Sequence, residues 1–387
     1  MSNTLKWILV INCGSSSIKF GLYDYKQITL RVKGVIKGIG HKSHFSVTGQ
    51  HDKAIADEHI TLQNHEAALL HLVGWLQQVG YEHQLLAVGH RIVQGGLHHT
   101  APQRYTQQLK TDLEQLIPLA PLHLPLELLA IHFFEKRYPR LIQVCCFDTA
   151  FHQAMPWYAQ QYALPEAVTA DGIKRYGFHG LSYDYIMQHL HPAGKTIIAH
   201  LGNGASMAAM DEGKNIDTTM GFTPAGGLMM GTRCGDIDPG VLLYLLQEKH
   251  YTAEQLSTLI NKESGLKGVS GLSSDMEQLL EDAADNKQAD AAITLFCYQA
   301  KKNLGALAAA LGGLQTLIFT GGIGEHHPAI RERICQNMAY LGLVLDKNRN
   351  TENAPVISHL ASSVTVRVIP TDEEYMIATY TAHLLKG

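Results

Sequence analysis

Two segments about half of the 387-residue chain apart read alike, and they constrain the fold more than any other feature. In the first, the apolar run Ile8–Ile11 meets the turn Asn12-Cys13-Gly14-Ser15-Ser16-Ser17, and a second β-type run follows over Ile18–Tyr23. In the second, Thr196–Leu201 is followed by Gly202-Asn203-Gly204 and then by Ala205–Met210. Each reads as a strand, a tight glycine turn and a returning strand. Identity between the copies is low, yet two related halves that each open on such a hairpin predict two lobes facing one cleft. A third apolar strand ends in the same way, in Phe319-Thr320-Gly321-Gly322-Ile323-Gly324-Glu325.

Between the hairpins the periodicity alternates. Helical spacing covers Glu66–Gln78, Leu113–Leu119, Leu124–Lys136, Val241–Glu248, Ala253–Asn261, Met276–Ala284 and Ala289–Leu311. Strand-like runs cover Leu85–Val88, Leu141–Phe147, Leu317–Thr320 and Val364–Ile369. Strands alternating with helices predict an α/β protein with parallel or mixed sheets. A run of turn formers sets a domain boundary near residue 150.

Charge and composition exclude other classes. A net charge of −4 gives no basic surface for nucleic acid. The longest apolar stretch, Leu304–Phe319, is broken by Gly312-Gly313 and by Gln315-Thr316, so it reads as a buried helix and a strand and not as a membrane span. The apolar run near the N-terminus is too short for a secretory signal, and a cytoplasmic location is expected. The six cysteines form no C-x-x-C pair. Buried thiols in a reducing compartment are expected, and neither a zinc site nor a disulfide framework.

The glycine turns carry the chemistry. In Asn12–Lys19 the backbone N–H groups, three hydroxyls and the Lys19 charge make the parts of a phosphate cradle. His200–Ser206 and Phe319–Glu325 let a backbone approach a ligand closely. Neither is G-x-G-x-x-G, so a dinucleotide fold is not supported. Pro192-Ala193-Gly194-Lys195-Thr196 mimics the end of a Walker A loop, but His189 stands where its first glycine belongs, and the segment reads as a turn. Arg91 and Arg233 lie in glycine-flanked loops suited to gripping carboxylate or phosphate, although a structural salt bridge is the commoner fate of an arginine. Asp148 follows a buried strand and is able to hold a metal or orient a nucleophile. Pro370-Thr371-Asp372-Glu373-Glu374 opens a helix after a strand, as acidic capping or as a metal ligand.

Ten ordered segments, from residue 8 to about residue 378, together resemble the acetate kinase family within the acetate and sugar kinase/Hsp70/actin superfamily. They are INCGSSSIKF, GHRIVQGG, APLHLP, FDTAFHQAMP, RYGFHGLSY, AHLGNGAS, DTTMGFTP, MGTRCGDIDPG, FTGGIGE and PTDEEYMIA. The resemblance implies a two-lobed, actin-like (ribonuclease H-like) α/β fold with duplicated domains and a nucleotide cleft between them. Residues 1–149 with 371–387 would form an N-terminal phosphate and acyl lobe, and 150–370 a nucleotide-binding C-terminal lobe that carries a dimer interface. It implies reversible transfer of the ATP γ-phosphoryl group to acetate, with Mg²⁺ (Mn²⁺ able to substitute), by a homodimer whose lobes close over the substrates. Propionate remains an alternative acceptor. An actin- or Hsp70-like ATP switch is a second class, which would not need Arg91, His179 and Arg233.

Carried over by motif, Asn12 and Glu373 would help bind the metal, and Lys19 would contact nucleotide phosphate. Arg91 would hold the acyl substrate, Asp148 would be the catalytic acidic residue, and His179 and Arg233 would stabilise the transition state. Val93, Leu122, Phe178 and Pro224 would surround the acetate methyl. His200, Leu201, Gly202, Asn203 and Gly204, then Asp275, Met276 and Glu277, then Gly322, Ile323, Gly324, Glu325 and His326 would line the ATP site. Four positions depart from the family pattern. Glu277 stands where arginine is usual, Gln94 where histidine is common, Ala225-Gly226 where a bulkier acidic pair is found, and Cys234 where serine is common. The reversed charge at Glu277 bears on nucleotide affinity or base preference.

Overall fold

The computed structural model describes residues 5–191 and 194–386. The chain divides into two compact units, Met1–Phe151 with Asp372–Gly387, and His152–Thr371. Pro192 and Ala193 of the Walker-like segment lie outside the described residues. Lys195 beyond them enters a strand and not a helix.

Unit 1 carries eight strands: β1 (Trp7–Cys13), β2 (Ser17–Asp24), β3 (Leu30–Lys37), β4 (Lys42–Gly49), β5 (Ala54–Thr61), β6 (Leu85–Ile92), β7 (Gln103–Arg104) and β8 (Ile142–Phe147). Their order in the sheet is β5-β4-β3-β2-β1-β6-β8-β7. Unit 2 carries β9 (Thr196–Leu201), β10 (Ala205–Asp211), β11 (Lys214–Thr218), β12 (Thr316–Thr320) and β13 (Thr365–Val368), in the order β11-β10-β9-β12-β13. Both sheets repeat one plan. The opening strand pairs antiparallel with the next, which pairs antiparallel with a third; on its other side it pairs parallel with a fourth, which pairs parallel with a fifth. The duplication is thus visible in topology where identity is low. Unit 1 adds β4 and β5 at one edge and the short β7 at the other.

Every residue of β1 is buried, as a continuous apolar run requires when both faces of a sheet are covered. Alternate residues Trp7, Leu9, Ile11 and Cys13 join a cluster with Leu69, Leu72, Val73 and Leu76 of the helix His65–Gln78 and with Phe134 of the helix Leu124–Arg137. Ile8 and Val10 point the opposite way by strand alternation and are equally buried. The helix Glu373–Lys386 packs on β1 and β6. It approaches so closely that a Cβ on Gly89 would stand 2.4 Å from Thr381 Oγ1 and 2.6 Å from Ile377 Cγ2. That closeness brings the first turn of this helix to the ends of β1 and β6.

Proline and capping chemistry move some helix limits from their expected places. The helical spacing over Leu113–Leu119 becomes the α-helix Gln107–Gln115 and a 3₁₀ turn, Ile117–Leu119, because Pro118 has no N–H to continue the ladder. The helix expected from Val241 begins at Pro239, capped by Asp238. Ala253–Thr258 gives way to a π turn over Leu259–Glu263. The long helix Lys287–Leu311 stops at Gly312, whose φ of 66° is the left-handed cap. Among the described residues, no helix is long and apolar enough to cross a membrane.

Candidate active site

Three adjoining parallel strands of unit 1, β1, β6 and β8, end side by side. In open α/β sheets ligands bind outside such carboxyl ends. Asn12 stands near the end of β1, Arg91 one residue before the end of β6, and Asp148 directly after β8. Glu373 and Glu374 open the helix that packs on these strands. Arg91 gathers the group. Its Nη2 donates to Asp148 Oδ2 at 2.7 Å, and its Nε donates to Asp148 Oδ1 and Oδ2 at 3.1 and 3.2 Å. Nη1 reaches Asn12 Oδ1 at 3.4 Å and Glu373 Oε2 at 3.3 Å. Asn12 Nδ2 donates to Glu373 Oε2 and Glu374 Oε1 at 3.5 and 3.4 Å.

Asp148 is fully buried, and Arg91 is the cation that makes that burial tolerable. Burial works against the Arg91 charge, but Asp148 and then Glu373 outweigh it and raise its pKa. Burial also raises Glu374, with Glu373 and Asp372 adding to the rise and Lys19 opposing it. Lys19 itself stands exposed on β2. Three oxygen-bearing side chains thus meet around one arginine, and Glu374 joins them through Asn12. Among the described residues, no three His, Cys, Asp or Glu side chains form a finished cage.

Of the four acyl-pocket residues, Val93 and Leu122 belong to unit 1, and Phe178 and Pro224 to unit 2. Val93 and Phe178 are buried; Leu122 is half-buried. Gln94 is buried too. Its Oε1 accepts from Gly96 N–H at 2.9 Å, while its Nε2 has no partner among the described residues.

In unit 2, His179 takes the left-handed conformation (φ 57°) immediately before the helix Gly180–Leu190. Its ring stacks on His200 with centroids 4.3 Å apart. His179 Nδ1 bonds to Ser206 Oγ at 2.8 Å, and the Tyr183 hydroxyl bonds to the same oxygen. His200 Nδ1 is held by Ser182 Oγ at 2.8 Å. Arg233 donates from Nη1 to the Pro224 carbonyl at 2.8 Å. His179 and Arg233 converge on the glycine turn: a Cβ on Gly204 would lie 3.1 Å from Arg233 Nη2 and 3.2 Å from His179 Nε2. Only glycine leaves both tips their place.

The two turn candidates share one sheet, and Asp275, Met276 and Glu277 stand at the start of a helix. His200 of β9 pairs with Thr320 of β12, so the turns after these strands start level. Glu325 folds back on its own turn, accepting from Gly321 N–H at 2.8 Å and Thr320 Oγ1 at 3.3 Å. Asp275 caps the helix Met276–Asp282 by accepting from Glu277 N–H at 3.0 Å. Met276 and Leu201 are core residues, so their side chains face packing partners. Glu277 is exposed, and its charge, with that of Asp275, acts on His327. His326 is largely exposed. Cys234 donates to the Gly235 carbonyl, and Gly226 sits beside Asp236, whose Oδ1 takes Gly227 N–H at 2.7 Å.

Sequence reasoning missed the residues that hold these groups. Tyr183 stands four residues after His179, one turn along a helix, and Ser206 pairs across from His200. Both spacings were available as signals. Glu127 was missed as well. It is 2% exposed, and its two oxygens accept from Val93 N–H at 3.1 and 3.3 Å. Its signal is a carboxylate in the first turn of the helix Leu124–Arg137, set among leucines and far from the charged residues at the helix's other end.

Burial raises Glu127 from 4.5 to about 8; the Val93 hydrogen bond and Arg91 oppose the rise, and Asp148 adds to it. Below the unfolded value both states are protonated and Glu127 costs nothing. As pH climbs toward 8 the unfolded chain releases a proton that the folded chain keeps, so stability is lost across that window. Each pH unit between the two values is worth ~1.4 kcal/mol. Glu127→Gln is expected to gain steadily on the unsubstituted protein between about pH 5 and 8 in urea titrations. Parallel curves for the two proteins would show that the carboxyl does not titrate in this way.

The repeated sheets and the charged clusters at their strand ends define a two-unit α/β protein of the phosphate-handling kind. A family model described as the Acetokinase family matches residues 7–379, and the chain belongs to that family. It is 46% identical over 394 residues to the acetate kinase of Rhodopseudomonas palustris strain TIE-1, covering 98% of each chain. It is 43% identical to the acetate kinase of Methylocella silvestris, again covering 98% of each. Among solved structures, Porphyromonas gingivalis acetate kinase superposes with a TM-score of 0.86 at 40% identity, covering 98% of this chain and 100% of that one. A propionate kinase from Francisella tularensis superposes with a TM-score of 0.90 at 35% identity, covering 97% and 99%.

Proposed function

We propose that this chain transfers the γ-phosphoryl group of ATP reversibly to acetate, giving acetyl phosphate and ADP. The observation that carries this reading is the cluster of Arg91, Asp148, Glu373 and Asn12 at the ends of three parallel strands, in a chain of the Acetokinase family. Acetate is ionised at neutral pH, so its oxygen attacks the γ-phosphorus without a base while the bond to the bridging oxygen of ADP breaks. What the reaction needs is cations that bring two anions together.

Arg91 supplies one of these, gripping the acyl carboxylate with N–H groups oriented by Asp148. His179 and Arg233 place donors where charge gathers on the γ-phosphoryl oxygens. Val93, Leu122, Phe178 and Pro224 contact the acetate methyl. Lys19, the turn at His200–Gly204, the segment Asp275–Glu277 and the turn Gly322–His326 hold the nucleotide, with Leu201 and Met276 contributing main chain. In this reading unit 1 is the acyl and phosphate side and unit 2 the nucleotide side.

Asn12 Oδ1 and the carboxylates of Glu373 and its neighbour Glu374 form an all-oxygen donor set that suits Mg²⁺, with Mn²⁺ able to substitute. Burial and then the charges of Glu373 and Asp372 raise Glu374, and a divalent cation offsets both. When bound, the ion neutralises phosphate oxygens.

The protein acts as a cytoplasmic homodimer joined through unit 2. Support comes from the helix Pro239–Gln247, which has no buried residue although it exposes Val241, Leu243, Tyr244 and Leu246. The six cysteines are all free thiols. Propionate stays the alternative acceptor, the Francisella neighbour being named a propionate kinase.

The test is ADP formation by purified protein with Mg·ATP, with and without acetate, trapping acetyl phosphate as its hydroxamate. Propionate and butyrate run in parallel, and light scattering on the same sample reads the dimer. Acetate-dependent ADP with hydroxamate is expected. ATP hydrolysis indifferent to every carboxylate would defeat the proposal and favour a nucleotide switch.

A further inference from the structure

Beyond Ile92 the chain leaves β6, and mostly side chains take over from strand partners in holding its backbone. Val93 N–H donates to both oxygens of Glu127. Gly95 N–H donates to Thr149 Oγ1 at 3.1 Å, Gly96 N–H to Gln94 Oε1 at 2.9 Å, and Asp148 N–H to the Ile92 carbonyl at 2.9 Å. Of these anchors only Glu127 comes from a helix, Leu124–Arg137, the one that Leu122 leads into. The two apolar residues that unit 1 offers to the acyl group are therefore tied to one element.

A buried carboxyl is a poor choice for packing alone. The charged groups that act on Glu127 electrostatically are Arg91 and Asp148. Its hydrogen bonds go to the Val93 N–H, and among the described residues no ion pair joins it. An apolar residue in its place would leave that buried N–H without an acceptor, which the backbone tolerates poorly.

We propose that Glu127 is a positioning residue for acyl selection, fixing where Val93 stands relative to the helix that follows Leu122 and so setting the depth available to the substrate's alkyl group. The inference rests on the carboxylate-kinase reading. One methylene in a fixed apolar pocket changes kcat/KM by roughly 10–200-fold. That discrimination survives only while the wall cannot retreat.

The experiment compares the unsubstituted enzyme with Glu127→Ala and Glu127→Gln. It measures KM for acetate and for ATP, kcat/KM for acetate, propionate and butyrate, and amide hydrogen exchange over residues 91–96. Glu127→Ala is expected to raise KM for acetate about tenfold, with KM for ATP held within about twofold, since a displaced binding group weakens only what it binds. Its preference between acetate and propionate changes by roughly fivefold or more, and exchange over 91–96 accelerates. Glu127→Gln keeps an oxygen for Val93 N–H and brings acetate KM and the ranking back to within about threefold of the unsubstituted enzyme.

A folded Glu127→Ala enzyme with unchanged acetate KM and ranking overturns the proposal. So does one in which both KM values rise together. An unsubstituted enzyme without carboxylate-dependent turnover defeats the kinase reading instead, and exchange then judges the tether. Equal protection of 91–96 in both proteins overturns it; faster exchange that glutamine rescues supports it.

Discussion

Arg91→Ala is expected to lower phosphoryl-transfer turnover by at least ~10³-fold, the scale of a charge-stabilising arginine in phosphoryl transfer. It should also destabilise the fold by roughly 3–5 kcal/mol, because a buried carboxylate loses the arginine paired with it. Both effects follow from one set of contacts. Arg91 donates three hydrogen bonds to Asp148, which is fully buried, and pairs with Glu373 at 3.3 Å. Arg91→Lys keeps a charge but has no planar fork to span Asp148 and Glu373, so it should recover part of the stability and little of the turnover. Asp148→Asn in the Arg91→Ala background removes the stranded charge and should restore stability without restoring activity. Urea titrations and saturation kinetics on the three variants check this. An Arg91→Ala protein with near-normal kcat would remove Arg91 from the reaction, and one as stable as the unsubstituted protein would show that Asp148 does not depend on it.

That pairing also marks where sequence stops being readable. Arg91 and Asp148 were each legible, because each ends an apolar run beside small residues, and the ordered motifs named their family. Their mutual salt bridge was not, since it depends on β6 lying next to β8 in parallel register. The same holds for Glu127, whose partner Val93 lies on a different element, and for Ser206 and Tyr183 behind His179. Long-range partners leave no periodic trace.

Elements differed for a related reason. β1, β6, β8, β9 and β12 are buried on both faces, so they appear as apolar runs. β5 is exposed along most of its length, and its sequence AIADEHIT carries no alternation to mark it. β4 buries Ser43 along with Phe45 and Val47, which blurs its pattern. The helix Gly180–Leu190 starts from a left-handed histidine with no side-chain cap, and so lacks the usual start signal. The matching order of the two sheets could be suspected from two glycine turns, but only the pairing of the strands shows it.

Arg331 lies outside every motif that named the family, yet its loss is expected to rank with that of Arg91. It is fully buried, and its hydrogen bonds go to carbonyl and amide oxygens instead of a carboxylate. Nη1 donates to the carbonyls of Gly324 and Glu325 at 2.8 and 2.9 Å. Nε and Nη2 bind Asn350 Oδ1 and its carbonyl, each at 2.8 Å, and Nη2 also reaches Asn353 Oδ1 at 2.6 Å. Burial lowers its pKa to about 10, which still leaves it charged at neutral pH. The accepting carbonyls end the short helix Gly321–His326, where a cation meets the negative end of the backbone dipoles. Arg331 thus ties the turn proposed to hold nucleotide to the helix Lys347–Thr351 and the residues after it. Arg331→Met fills similar space but strands five buried contacts, each worth ~1–3 kcal/mol unmade and partly relieved by relaxation. A net loss of roughly 3–5 kcal/mol, or about 10 °C in Tm, is expected. At temperatures where the variant stays folded, KM for ATP should rise while KM for acetate holds. Arg331→Lys, with one point of charge, should recover the smaller part of the loss. A methionine variant that melts with the unsubstituted protein would mean that the five contacts are replaced as readily as they are removed.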